Sequence, residues 1–247
     1  MRGDALPPLA ADWAIFLDID GTLLEHADRP DAVRVGEPVL RLLETLRRGT
    51  GGALALISGR AVADVDRLFA PLRLPAAGQH GVERRDAAGG MHRQRFPADT
   101  LRRAATRIGE FAARHEGLLF EDKGHNLALH YRLAPECAGA AQAVLREAAA
   151  QLGDEFEVLQ GKMVVELKPS GRDKGMAIEE FMREPPFAGR TPVFIGDDLT
   201  DEFGFGVVNR LGGHAVKVGP GASAARHRVA DASAVRDWLA QWAARHA

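Results

Sequence analysis

Two carboxylates stand two positions apart in Asp18-Ile19-Asp20-Gly21-Thr22, directly after the apolar run 13–17. An Asx or glycine turn explains one aspartate and the glycine, but not the second acid. Open parallel sheets bind ligands at the carboxyl ends of their strands, so paired acids there suit nucleophilic and acid–base work. A second acidic run, Gly196-Asp197-Asp198-Leu199-Thr200-Asp201-Glu202, follows the apolar stretch 192–195. Alone it would read as a helix start, where acids favour the dipole. Beside the first pair it becomes a cation site whose oxygen donors, without paired His or Cys, suit Mg²⁺ rather than zinc.

Two further residues could complete a phosphate site. Ser58 ends the apolar run 53–57; its hydroxyl and the neighbouring amides could hold a phosphoryl oxygen, although a plain helix cap would use the same residue. Lys174 opens a helix after Gly171-Arg172-Asp173, where a cation opposes the dipole. Neutralising phosphate and a nucleophilic carboxylate would account for it, and so would a surface lysine.

The elements that must position these residues follow an α/β rhythm. Apolar strands are expected at 13–17, 53–57, 192–195 and 215–218, and helices at 37–48, 61–69, 173–182, 202–210 and 231–245. Short, uniformly apolar strands alternating with helices predict a parallel sheet covered on both faces. After Pro75 the rhythm changes. A hairpin is expected from 79–83 and 91–96 around Asp86-Ala87-Ala88-Gly89-Gly90. Helix-strand-strand then occurs twice, with helices at 97–115 and 135–152 and strands at 118–121, 127–131, 156–159 and 163–167. The expected layout is a core in two parts, 1–96 and 169–247, with a smaller α+β insert at 97–168, bordered by hinge-like segments near Phe96 and Pro169.

Composition narrows the partners. The chain has 247 residues, 32 Lys plus Arg against 34 Asp plus Glu, and a net charge of −2. That balance argues against nucleic acid or an anionic membrane as the main partner. No run of eighteen apolar residues occurs, the first sixteen residues lack the apolar segment of a signal peptide, and Cys137 has no second cysteine to pair with. A cytoplasmic protein is expected, acting as a monomer on a small molecule. Only Lys123, Lys162, Lys168, Lys174 and Lys217 are lysines; in a chain this rich in arginine, they mark places that call for a compact point charge.

The ordered set Asp18 and Asp20, Ser58, Lys174, and Asp197-Asp198 resembles the four motifs of the haloacid dehalogenase (HAD) superfamily of phosphatases, with a cap inserted between the second and third. The resemblance implies a HAD-like, Rossmann-like parallel core. It implies Asp18 as nucleophile forming an aspartyl-phosphate, and Asp20 as acid toward the leaving alcohol and then base toward water. Mg²⁺ would be held by Asp18, the Asp20 backbone carbonyl and Asp197, with Asp198 in support, and Ser58 and Lys174 would stabilise phosphoryl charge.

The insert carries two polar clusters, Glu121-Asp122-Lys123-Gly124-His125 and, around Lys162 and Glu166, Gly161 to Pro169. Charged sheet edges would look the same, but three of the five lysines fall here, and ammonium and carboxylate groups suit sugar hydroxyls. These stretches, with Gly-Asp-Asp-Leu-Thr-Asp-Glu of the core, resemble the trehalose-6-phosphate phosphatase family. That resemblance implies Glu121, Lys123, Lys162 and Glu166 as sugar contacts and His80 as a further contact. The implied activity is Mg²⁺-dependent hydrolysis of trehalose 6-phosphate, the last step of trehalose synthesis. Another HAD sugar phosphatase (sucrose-phosphate or mannosyl-phosphoglycerate type), a phosphomannomutase-like transferase, and a non-catalytic phosphosugar-binding domain stand as alternatives. Lys168, Lys217 and Cys137 receive no role in the chemistry.

Overall fold

The computed structural model describes residues 6–7, 10–26, 33–93 and 99–246. The chain divides into two compact units, Met1–His92 with Asp173–Ala247, and Arg93–Arg172. The insert is thus a few residues longer at each end than the sequence borders at 96 and 168; the border at Phe96, with the expected strand and helix ends at 94–98, falls outside the described residues.

In the first unit the strands are β1 (Trp13–Leu17), β2 (Leu54–Ile57), β3 (Ala76–Gly78), β4 (Glu83–Arg85), β5 (Met91–Arg93, ending at the unit border), β10 (Thr191–Gly196), β11 (His214–Val218) and β12 (His227–Val229). Its helices are α1 (Glu37–Gly49), α2 (Val62–Leu68), α5 (Lys174–Met182), α6 (Asp201–Arg210) and α7 (Ala232–His246). The sheet order is β12-β11-β10-β1-β2-β3-β4-β5. It is parallel from β12 to β3, and β4 turns antiparallel against β3.

Alternation along β1 explains the two covered faces. Trp13, Ile15 and Leu17 join a core containing Leu43, Leu46, Val235, Trp238 and Trp242, so α1 and α7 cover this side. Ala14 and Phe16 point the other way, into Phe181, Phe187, Phe194 and Phe205 with α5 and α6. Phe16 stacks on Phe187 with ring centroids 5.4 Å apart; truncating such a buried ring to Ala costs about 3–5 kcal/mol. α1 starts with a proline inside its first turn and ends with Arg47 and Arg48, as dipole and backbone constraints favour.

The expected hairpin around residues 86–90 forms, with β4 and β5 as neighbouring strands, but its first strand starts later than expected. Most of the stretch 79–83 is not strand: Gln79–Gly81 is a single 3₁₀ turn, with Gln79 at φ 50° and His80 at φ 57°. The strand before it, β3, was not expected. Left-handed backbone at two successive residues cannot continue a pleated strand, so the chain breaks there and resumes as β4.

The second unit has strands β6 (Leu119–Asp122), β7 (Leu127–His130), β8 (Phe156–Gly161) and β9 (Val164–Pro169), in antiparallel order β6-β7-β9-β8. Helices α3 (Arg102–Ala113) and α4 (Ala138–Leu152) pack on one face. Leu127, Leu129, Val165 and Leu167 face those helices, meeting Ile108, Val144 and Leu145. The alanine-rich sequence of α4 is intrinsically helical, and Gly153 at φ 72° stops it. Lys168 is buried beside Glu157, and its ammonium also donates to the backbone carbonyls of Pro169, at 3.2 Å, and Arg172. This lysine therefore fixes the chain where it leaves the unit. Among the described residues, no helix is long and apolar enough to cross a membrane.

Candidate active site

The carboxyl ends of β1, β2 and β10 bring the chemistry-bearing residues of the first unit together. Asp18 follows β1 and donates its backbone N–H to Ile195 at 3.0 Å, which ties the first acidic motif to the strand carrying the second. Its side chain is buried and accepts a hydrogen bond from Lys174 Nζ at 2.8 Å; the same ammonium donates to Asp201 at 2.7 Å. Lys174 thus has its reason for opening a helix. Asp173 caps that helix by accepting from the Met176 N–H at 2.8 Å, and the lysine side chain turns to the two carboxylates.

One carboxylate oxygen from each of Asp18, Asp197 and Asp201 lies within 4.8 Å of the others. With one ammonium among three acids, the buried pocket holds excess negative charge. Burial pushes the Asp18 carboxyl well above the usual carboxylate range, against the pull of Lys174 and with the help of Asp201 and Asp197. Burial likewise raises Asp201. Burial opposes the Lys174 ammonium, yet Asp18 and Asp201 together hold it above the ordinary lysine value. A hard divalent cation fits this donor set, because the donors are all carboxylate oxygens and their charge is only partly balanced.

The third acid of the group is Asp201, whereas Asp198 was expected only in support. Asp198 turns its carboxylate to the Leu199 N–H at 2.8 Å, and its own N–H donates to Asp201 at 2.9 Å. Its part is therefore to brace Asp201. A buried acid three residues after the pair, at the start of α6, was legible only as a dipole-favoured helix residue.

Asp20 is held elsewhere. Both of its oxygens accept from Arg60, at 2.7 Å from Nε and 2.6 Å from Nη2. Arg60 follows Ser58 by two residues, and its N–H donates to the buried Ser58 hydroxyl at 3.1 Å. One short loop thus presents the Ser58 hydroxyl and the guanidinium that aligns Asp20. The 79–81 turn folds onto that loop: Gln79 N–H donates to the Arg60 carbonyl and His80 N–H to the Ser58 carbonyl, at 2.9 and 3.0 Å. A Cβ at Gly59 would come within 2.8 Å of the His80 ring. His80 is accordingly buried against the loop that carries Ser58.

Gly21 follows Asp20 at φ 87°, and a Cβ there would overlap the Asp197 carboxylate and the His26 imidazole. Lys217 on β11 is buried and donates to the Asp197 backbone carbonyl, a role that its scarcity hinted at but its sequence context did not specify.

In the second unit, cross-strand pairing aligns Glu121, Ala128 and Glu166 in one row. Their side chains lie on the face opposite α3 and α4. Lys123 Nζ donates to Glu166 at 2.7 Å, and both side chains are nearly buried, at 7% and 6% exposure. Asn126 reaches the other Glu166 oxygen at 3.5 Å. His130 pairs with Glu121 at 2.9 Å. Burial opposes the Glu121 charge, but the His130 hydrogen bond and the Lys123 ammonium hold its carboxyl below the ordinary value. Lys162 is exposed at the β8–β9 turn, where its backbone carbonyl accepts from Arg132 at 3.5 Å. The structure therefore assembles Glu121, Lys123 and Glu166 on one polar face and leaves Lys162 exposed at the β8–β9 turn.

Comparison with known proteins places these features in a family. Residues 16–236 match the family described as trehalose-phosphatase. The chain is 47% identical over 233 residues to the trehalose-6-phosphate phosphatase of Escherichia coli (strain K12), spanning 94% of this chain and 87% of that one. It is 44% identical over 242 residues to the probable trehalose-phosphate phosphatase of Sinorhizobium fredii (strain NBRC 101917 / NGR234), spanning 96% and 91%. The C-terminal domain of the C. albicans trehalose-6-phosphate phosphatase superposes with a TM-score of 0.83 at 21% identity, covering 95% of this chain and 92% of that one. A HAD-superfamily phosphatase from Bacteroides thetaiotaomicron shares the fold with a TM-score of 0.63 at 14% identity, covering 97% and 98%.

Proposed function

The chain belongs to the trehalose-phosphatase family, and on that premise we propose that it hydrolyses trehalose 6-phosphate to trehalose and inorganic phosphate with Mg²⁺. The observation that carries the chemistry is the buried Lys174 ammonium shared between Asp18 and Asp201. It fixes the nucleophilic carboxylate and supplies a positive charge where a phosphoryl group would gather negative charge.

Asp18, Asp197 and Asp201 would hold the ion together with the Asp20 backbone carbonyl, Asp198 serving as a brace. Bound there, Mg²⁺ supplies charge neutralisation for the phosphoryl oxygens and the attacking carboxylate. A carboxylate oxygen of Asp18 attacks phosphorus, the bond from phosphorus to the sugar oxygen breaks, and Asp20 gives that oxygen its proton. Both Asp20 oxygens are engaged by Arg60, so proton donation requires one of those bonds to open. Ser58 and Lys174 hold phosphoryl oxygens through transfer. Water then attacks the aspartyl-phosphate while Asp20 takes its proton, which releases inorganic phosphate and restores Asp18. Glu121, Lys123 and Glu166 bind the disaccharide hydroxyls, with Lys162 as a further contact. His80 packs on the Ser58 loop and serves as a further substrate contact. A reducing, cytoplasmic setting suits the single cysteine.

Phosphate release from trehalose 6-phosphate, glucose 6-phosphate and sucrose 6-phosphate, each with Mg²⁺ and with EDTA, tests the proposal. Release from trehalose 6-phosphate should be much the fastest and should vanish in EDTA. Equal rates on all three esters would remove the disaccharide assignment. Binding without release would leave a phosphosugar-binding domain.

A further inference from the structure

Asp197 is gripped at both ends by residues outside the catalytic motifs. Lys217 holds its backbone carbonyl. At the other end, His26 Nε2 lies 2.9 Å from the Asp197 Oδ2. These two residues are 171 positions apart in the chain, so the contact is purely tertiary. The imidazole is 28% exposed and the carboxylate 6%.

The loop bearing His26 is itself fixed. Gly21 N–H donates to the Leu24 carbonyl at 2.7 Å, and Arg236 on α7 donates to the Leu23 carbonyl at 2.9 Å. Arg236 also reaches Glu25 at 3.5 Å. Gly21, lacking a Cβ, lets the imidazole and the carboxylate meet beside it. Residues 21–25, which lead to His26, are therefore held by main-chain and Arg236 hydrogen bonds.

We infer that His26 is a positioning residue for the cation site: its N–H holds one Asp197 oxygen and orients the carboxylate so that the other oxygen serves the ion. Carboxylates that ligate metals need such outer partners, and losing one typically costs about 10- to 100-fold in metal affinity. For Asp197 that outer partner is His26. Asp18 and Asp201 are oriented by Lys174, whereas the Lys217 contact reaches only the Asp197 main chain. The assignment rests on the proposal that this acidic group holds Mg²⁺.

Calorimetric titration of the metal-stripped full chain with Mg²⁺ alone provides the test, because it reads binding without turnover. His26→Ala should weaken Mg²⁺ by about 10-fold or more, while the melting temperature in EDTA stays that of the parent. His26→Gln, whose amide donates to the same oxygen, should recover most of the affinity. If the parent chain binds Mg²⁺ and His26→Ala binds it equally well, the inference is overturned and the functional proposal survives. If His26→Gln is as weak as His26→Ala, or if His26→Ala melts lower in EDTA, orientation of Asp197 is not what His26 does. A parent chain that fails to bind Mg²⁺ would overturn the functional proposal and this inference together.

Discussion

Each unit of this protein is organised around a nearly buried lysine, but the two lysines keep different company. Lys174 serves Asp18 and Asp201, with the Asp197 carboxylate grouped alongside. Lys123 serves Glu166, and the nearby Glu121 has His130 as its own partner. The electrostatic consequences are opposite. In the first cluster negative charge exceeds positive, and burial drives Asp18 and Asp201 toward holding protons. In the second, Glu121 stays below its ordinary value. A buried cluster with one ammonium among three acids attracts a cation, whereas the Lys123–Glu166 and Glu121–His130 pairs offer fixed donors and acceptors to a neutral polyol. The proposed division of labour between phosphoryl chemistry and sugar recognition thus follows the partners that each lysine keeps.

The largest expected effect removes the nucleophile from the unbalanced cluster. Asp18→Asn should lower kcat by at least about 10⁴-fold, since the amide cannot form the covalent intermediate. Circular dichroism should show an unchanged fold. Turnover near the parent rate would exclude the covalent route.

The lysines themselves offer the next contrast. Lys174→Met leaves two buried carboxylates facing each other, so it should cost about 3–5 kcal/mol in urea unfolding of the metal-free protein and abolish detectable turnover. In the second cluster, Glu166→Gln keeps the shape but loses charge-assisted hydrogen bonding. It should raise KM by about 10- to 100-fold, matching the loss of about 1.5–3 kcal/mol for a hydrogen bond to a charged group, with a smaller change in kcat. A kcat effect in the second variant as large as in the first would erase the distinction between the two clusters.

A pH series gives a subtler separation. The folded-state values of Asp18 and Asp201 lie above their unfolded ones, so the folded, metal-free protein binds more protons than the unfolded chain. The stability these groups allow is therefore complete below the ordinary carboxylate value and declines as pH rises through their raised values. Mg²⁺ should relieve that decline. The rise in melting temperature on adding Mg²⁺ should be largest near neutral pH and shrink on acidification. Glu121 has the opposite sign: its lowered value contributes stability that is present at neutral pH and lost as pH falls. A Glu121→Gln variant should accordingly lose less stability on acidification than the parent while keeping the same Mg²⁺ response.

How far the sequence disclosed this arrangement depends on the range of each signal. β1 and β10 were legible because uniformly apolar runs ending in acids are local patterns, and so were Asp18, Asp20, Ser58 and Lys174. β3 was not, because Ala-Ala-Gly has neither branched nor aromatic bulk, and neither was β12, a three-residue edge strand reading His-Arg-Val. The Arg60 clamp on Asp20 spans 40 residues and the His26 contact spans 171, and no spacing rule reaches so far. Lysine scarcity marked Lys168 and Lys217 as unusual, but only their partners in the fold say what they do: Glu157 and the Pro169 and Arg172 carbonyls for Lys168, and the Asp197 carbonyl for Lys217.

The smallest expected effect falls inside the acidic motif. Asp198 and Asp201 are three residues apart, yet their surroundings differ sharply. Asp201 is fully buried and bonded to Lys174, while Asp198 is partly exposed and bonded by its carboxylate to the next N–H. Asp201→Asn removes a charge from the pocket and half of the lysine's support, so both Mg²⁺ affinity and kcat should fall steeply. Asp198→Asn preserves an acceptor oxygen for the Leu199 N–H and leaves the backbone donor to Asp201 in place. Its cost should be near that of one neutral hydrogen-bond exchange, about 0.5–1.5 kcal/mol, with Mg²⁺ affinity little changed. Titration of the two variants with Mg²⁺ ranks them directly. If Asp198→Asn proved the weaker binder, Asp198 would be an ion ligand after all, and charge balance in the first unit would have to be counted around it instead of Asp201.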